Sequence, residues 1–303
     1  MDYHVGIPAG TTLTDWQAID DPNVTLNPGN GMVRCTGAGA AVLFDKIDFS
    51  LHGGAYIFNG SGGCSAITVT NSNFACPITA PSFTFIQDQN GASVIVRSSN
   101  FNGRNCWSAS GPAGGFAAFL AVSNAVVQYN WFNLSPQQVL DTGMSAGGST
   151  VIDYRYNLLD DVIVFPGAHM NYLQFGGSGT AGPITVEFNT SRQASVGGAE
   201  GFQFYSNNPP ATLVNPTFSH NTMIALPSGA ANTMSYMVHG NCHSGSDCST
   251  TATTISGSAV NASNYFDASG AYGAYYGGTM TASMGWTSSG NIDMTSGATI
   301  VPP

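Results

Sequence analysis

Among the charged side chains of this 303-residue chain, carboxylates dominate: sixteen in all, fourteen of them Asp. Asp141, Asp153, Asp160, Asp161 and Glu187 fall within one stretch that also holds His169. Cleavage of a glycosidic bond needs two suitably placed carboxyl groups, one as acid and one as base or nucleophile. Asp160, Asp161, Glu187 and His169 are the candidate catalytic set, provided that the fold brings them together. Asp161, beside Val162, has a second reading as a turn residue that bonds backbone amides.

Other motifs carry less. His239 and His243 have metal-compatible spacing only on a helix, and the intervening Gly-Asn-Cys favours a loop, so no metal is expected. Residues 177–182 (GSGTAG) match GxGxxG but precede a strand and read as a turn. No GK[ST] exists for a phosphate-binding loop, and no cofactor is expected. The six cysteines are too dispersed for a CxxC knuckle. Cys242 and Cys248 flank a polar loop and suit a hairpin disulfide. The alternative is six buried thiols acting as small apolar residues.

Charge narrows the partners. Only 7% of residues are charged, against about 25% in an ordinary globular chain. Lys46 and five arginines face the sixteen acids, for a net charge of −10. Nucleic acid is excluded as an expected partner, because phosphate binding relies on Lys and Arg. An anionic membrane surface is excluded on the same ground. No apolar run approaches a membrane span. Residues 1–4 show no signal-peptide pattern, so a leader is either already removed or never used.

The elements that must position these residues repeat. Short β-branched or aromatic runs recur, each ending at an Asn or Asp: Asp48, Asn73, Asn100, Asn130, Asn157, Asn189, Asn221 and Asn264. The intervals are 25, 27, 30, 27, 32, 32 and 43 residues. One coil of a parallel β-helix fits the first six, with neighbouring coils about 4.8 Å apart. Apolar residues alternate inward, as at Ile67 and Val69 or Val94 and Val96. An Asn at each bend tolerates left-handed backbone and can hydrogen-bond to the Asn of the next coil, making a ladder. A second strand per coil falls between the markers, for example at residues 172–175 and 201–205. The fold class is all-β: a single-domain right-handed parallel β-helix. Residues 1–34 form an N-terminal cap, 35–270 the helix, and 271–303 a C-terminal cap or oligomer contact. Coil stacking is expected to place Asp160 and Glu187 on adjacent rungs. Trp107, Tyr172 and Tyr205 are candidate platforms for sugar rings, whereas Trp131, within a strand beside the ladder, reads as packing.

This coil pattern and Asn ladder resemble the pectin-lyase-like right-handed β-helix superfamily over about residues 35–270. That group includes pectate lyases, polygalacturonases, alginate epimerases and bacteriophage tailspikes. Residues 166–175 (PGAHMNYLQF) are similar to a GxHxDxxQ stretch of bacterial and phage β-helix proteins. His169 and Gln174 match it, and Asn171 stands where such segments carry Asp. Gln174 joins the candidate glycan-binding residues. A lyase-type calcium cluster with its Arg or Lys cannot be assembled from one lysine and five scattered arginines. Polygalacturonase-type NTD and RIK segments are absent, although Asp160-Asp161 and a GAH at 167–169 are present.

The resemblance implies a structural virion or surface β-helix protein, of the phage spike, collar or tail-fibre type, that binds host glycans. The alternative is an extracellular polysaccharide lyase or glycoside hydrolase acting in a groove on the helix side. The first reading implies a homo-oligomer, a trimer, in contact with other virion proteins or with host surface polysaccharide. Its location is then a virion or an extracellular surface.

Overall fold

The computed structural model describes residues 4–76, 84–104, 106–108, 111–112, 118–135, 138–143, 150–162, 171–193, 200–206, 210–225, 236–240, 253–267, 274–275 and 280–302. They form a right-handed parallel β-solenoid with three sheets around one core. Each coil visits the sheets in the order I, II, III. The continuous path of sheet I carries nine strands, from Ala41–Asp45 to Trp286–Ser289. Sheet II has ten, from Thr14–Asp15 to Ile292–Asp293. Sheet III has nine, from Val24–Asn27 to Tyr236–Gly240. Its first two, Val24–Asn27 and Met32–Cys35, are an antiparallel hairpin, and the rest pair in parallel.

Residue alternation builds the core. In sheet I, Ile67, Val94, Ala125, Ile152 and Ile184 lie in register and point inward, as do Val69, Val96, Val127, Tyr154 and Val186. In sheet II the inward file is Phe74, Phe101, Phe132, Leu159, Ser191, Met223 and Phe266. Its first members stack: Phe49–Phe74, Phe74–Phe101 and Phe101–Phe132 have ring centroids 4.4, 4.8 and 4.9 Å apart.

The bend between sheets I and II sets the phase of every coil. A residue with φ between 49° and 60° marks each bend: Lys46 precedes the apolar Ile47, and Asn71, Ser98, Tyr129, Tyr156, Phe188, His220 and Ser263 each precede an inward polar residue. From Asn130 onward that residue is Asn. Asn130 N–H and Nδ2 both donate to Asn157 Oδ1, at 3.0 and 3.1 Å. The same pattern links Asn157 to Asn189, Asn189 to Asn221, Asn221 to Asn264 and Asn264 to Asn291. Each remaining amide hydrogen of Asn130, Asn157, Asn189 and Asn221 reaches a carbonyl of sheet I. The ladder thereby satisfies buried backbone groups that water cannot reach.

Asn73 and Asn100 are not rungs, contrary to the sequence alignment. They lie one residue later, paired with each other and with Trp131 on the first outward position of sheet II. The rungs there are Ser72 and Ser99, which hydrogen-bond as Ile47 N–H to Ser72 Oγ, Ser72 N–H to Ser99 Oγ, and Ser99 N–H to Asn130 Oδ1. A hydroxyl supplies the same acceptor as an amide oxygen, so the marker changes type while the geometry persists.

Outside the ladder, the left-handed residues stack as well. Tyr129, Tyr156, Phe188 and His220 form a file of near-parallel rings 4.9, 5.1 and 4.8 Å apart. Bulky residues seldom adopt positive φ. Here the ladder fixes the bend on one side and ring stacking holds it on the other.

The ends do more than close the stack. Trp16 is fully buried and donates through Nε1 to Leu51 O at 3.0 Å. Residues 6 and 7 run back along the rod, with Gly6 N–H on Tyr129 O at 2.7 Å and Ile7 N–H on Asn100 Oδ1 at 3.1 Å. At the other end, Trp286–Ser289 and Ile292–Asp293 add rungs to sheets I and II, and Asn291 extends the ladder. A disulfide joins Cys76 to Cys106, 30 residues apart on successive coils, with Cα atoms 5.1 Å apart. Cys242 and Cys248 lie outside the described residues.

Candidate functional site

The fold distributes the five clustered carboxylates over three sheets. Asp141 lies on sheet III, Asp153 and Glu187 on sheet I, and Asp160 and Asp161 on sheet II. Asp160 and Glu187 are not on matching positions of adjacent rungs, which corrects the expectation from coil length. The coil after Asp160 is 32 residues long, so its partner is Arg192, and Glu187 falls five residues earlier, before the bend. Arg192 holds Asp160 with two hydrogen bonds, Nη2 to Oδ2 at 2.6 Å and Nε to Oδ1 at 3.2 Å. Glu187 sits opposite Arg155 and Ser219 and accepts from Ser219 Oγ at 2.6 Å. Asp153 is bound by Arg155 on its own strand and by Gln128 Nε2 at 2.9 Å. Asp161 lies within the strand Leu158–Val162 at a left-handed position, φ 64°, and Leu134 takes the same conformation one coil earlier within Trp131–Ser135. His169 lies outside the described residues.

Two of the aromatic platforms are not platforms. Tyr172 is 1% exposed, packs on Phe202 with centroids 5.4 Å apart, and donates to Gln193 Oε1 at 3.3 Å. Burial pushes its phenol well above the ordinary range. The bend into sheet III turns two consecutive residues inward: Phe85–Ile86, Phe119–Leu120, Val139–Leu140 and Tyr172–Leu173 are all buried. Strict alternation fails there, and Tyr172 takes the place of Phe85 and Phe119 in the core. Tyr205 is 2% exposed, its ring 4.5 Å from that of His239. Trp107 belongs to a short antiparallel pairing with Gly111–Pro112, and its side chain lies outside the described residues.

Gln174 stands differently, on the outward face of sheet III and half-buried. It accepts from Gln138 Nε2 at 3.1 Å on the preceding coil and from Asn171 Nδ2 at 2.8 Å. Asn171 Nδ2 also donates to Gln203 Oε1 at 2.6 Å on the following coil. Asp141 is in register with Gln174, and burial holds its carboxyl above the ordinary value. Gln203 is in register with His239. The result is a file of amides with one carboxyl, running along the rod over three coils. Sequence reasoning missed Gln138, Asn171 and Gln203 as a group, although the repeated LQF at 173–175 and FQF at 202–204 signalled it.

Asn171 and Gln203 are buried, each 1% exposed, and brace the file from within, whereas Gln138 and Gln174 are partly exposed and offer amide donors and acceptors that suit a hydroxyl-rich ligand. The file lacks the paired carboxylates of an acid–base site. Among the described residues no group of three His, Cys, Asp or Glu side chains converges to hold a metal ion, and no helix is long and apolar enough to cross a membrane.

Fold and site together define a right-handed parallel β-solenoid with a polar amide file on one face. No protein-family profile, curated protein or solved structure matches the chain.

Proposed function

We propose that the chain is a structural β-solenoid of a virion or extracellular surface, akin to the tailspike-type members of the pectin-lyase-like superfamily, and that it binds host glycan without cleaving it. The observation that carries this reading is the dispersal of the carboxylates: Asp160 is held by Arg192, Asp153 by Arg155 and Glu187 by Ser219, on two sheets. Cleavage of a glycosidic bond needs two carboxyl groups placed as a pair, and each of these three is engaged with a different, non-carboxylate partner. Binding then falls to the amide file of sheet III.

The test is retention on immobilised bacterial surface polysaccharides, comparing the wild type with Gln174→Ala and with Gln138→Ala, the two partly exposed amides of the file. The reading expects a retained wild type and weakened variants of unchanged thermal stability. Retention of neither wild type nor variants on any polysaccharide would contradict it.

One observation favours the hydrolase or lyase alternative. Asp141, its carboxyl held towards the protonated form by burial, has the character of a general acid beside Gln174. Release of chain ends that is lost in Asp141→Asn would turn the conclusion to that reading.

A further inference from the structure

The two remaining described cysteines repeat the layout of the disulfide that is present. Cys35 and Cys64 are 29 positions apart, against 30 for Cys76 and Cys106, so each pair is separated by one coil. Cys35 ends the strand Met32–Cys35 and is in register with Asn59 on the next rung. The buried Asn59 side chain clamps the backbone of Cys64: Oδ1 accepts its N–H at 2.8 Å and Nδ2 donates to its C=O at 3.0 Å. Cys64 is thus fixed one side-chain length from the rung that faces Cys35. Its thiol points at Asn23 O, 3.9 Å away. That carbonyl also takes the N–H of Thr36, the residue after Cys35, at 2.8 Å. Both thiols are essentially closed to solvent, at 2% and 0% exposure.

We propose that Cys35 and Cys64 are a second inter-coil disulfide site, which fastens the N-terminal hairpin to the first full coil. A low-molecular-weight disulfide such as oxidised glutathione is the oxidant. One cysteine thiolate attacks it, forming a mixed disulfide and releasing one small thiol. The second cysteine thiolate then displaces the other small thiol and closes the protein disulfide. Overall the two protein thiols give up two protons and two electrons, and the oxidant becomes two thiols. Timing follows from burial. Desolvation holds the folded Cys35 thiol in its protonated, unreactive form, so closure happens on the folding chain before the hairpin docks. Once closed, the bond is shielded from reductants by the same burial.

The experiment is a disulfide map of the wild-type chain refolded from the fully reduced state with oxidised glutathione. After alkylation under denaturing, non-reducing conditions, the chain is digested with trypsin and with a protease that cuts after Phe74, separating Cys64 from Cys76. A cross-linked peptide pair containing Cys35 and Cys64 is expected, unlabelled by the alkylating agent. A Cys35→Ser variant should lose that pair, keep Cys76–Cys106, and show a smaller drop in unfolding midpoint when reductant is added. Recovery of Cys35 and Cys64 as alkylated free thiols, or of Cys35 joined to another cysteine, overturns the proposal.

Discussion

The rod has two halves built on different principles. In the coils from about residue 41 to 135, the core is a stack of aromatic rings, Phe49, Phe74, Phe101 and Phe132, and the early ladder rungs are Ser72 and Ser99. Beyond Asn130 the rungs are asparagines, and the aromatic stacking moves outside the bend to Tyr129, Tyr156, Phe188 and His220. The interior turns irregular in step. Tyr154 replaces the valines of earlier coils, and Ser191 interrupts the large side chains of sheet II. The Tyr154 hydroxyl is buried with no hydrogen-bond partner among the described residues. The amide file and Asp141 lie on this second half. The irregular core positions face sheets I and II, whereas the amide file lies on sheet III of the same half.

The contrast can be broken experimentally. Phe101→Ala should cause the largest loss, about 3–5 kcal/mol, because a ring stacked on both sides leaves a cavity that the coils cannot close. Urea unfolding monitored by circular dichroism checks it. Asn157→Ala strips the acceptor from Asn130 N–H and Nδ2 and orphans buried groups, for a loss of about 1–3 kcal/mol in the same assay. Ser72→Ala removes one acceptor bond and should cost about 1 kcal/mol, so a Ser72→Ala loss exceeding that of Asn157→Ala would invert the comparison.

Smaller effects sharpen it. Tyr154→Phe deletes the unpartnered hydroxyl and should leave the unfolding midpoint unchanged or raised. Asp141 gives a pH signature. Its folded carboxyl titrates above the ordinary 3.8, so the native state holds this proton more tightly than the unfolded chain. That stabilising contribution is complete below 3.8 and fades as pH rises through the folded value. Asp141→Asn should therefore gain on the wild type as pH rises from below 3.8 towards neutrality, read from urea midpoints at several pH values. A pH-independent difference would contradict the shift.

Periodicity made the solenoid legible, because one coil returns a strand to the same sheet every 25–32 residues and the polar bend recurs with it. Rung identity was legible only where the rung is Asn. At Ser72 and Ser99 the adjacent Asn73 and Asn100 drew the alignment one residue late. Gln174 was singled out from the sequence and lies on the outward face of sheet III, but the pairing of Asp160 with Arg192 depends on the exact length of one coil. Tyr172 misled for a different reason: two consecutive residues turn inward at the bend into sheet III, so alternation predicts the wrong face.

The proposal that this solenoid holds glycan without cutting it is tested most directly by depolymerisation. Purified protein is incubated with a panel of bacterial and plant polysaccharides while reducing ends and unsaturated products are followed, alongside Asp160→Asn, Asp161→Asn and Asp141→Asn. No new chain ends are expected from any of the four proteins. Chain ends produced by the wild type and abolished in one of the three variants would contradict the proposal and locate the catalytic acid.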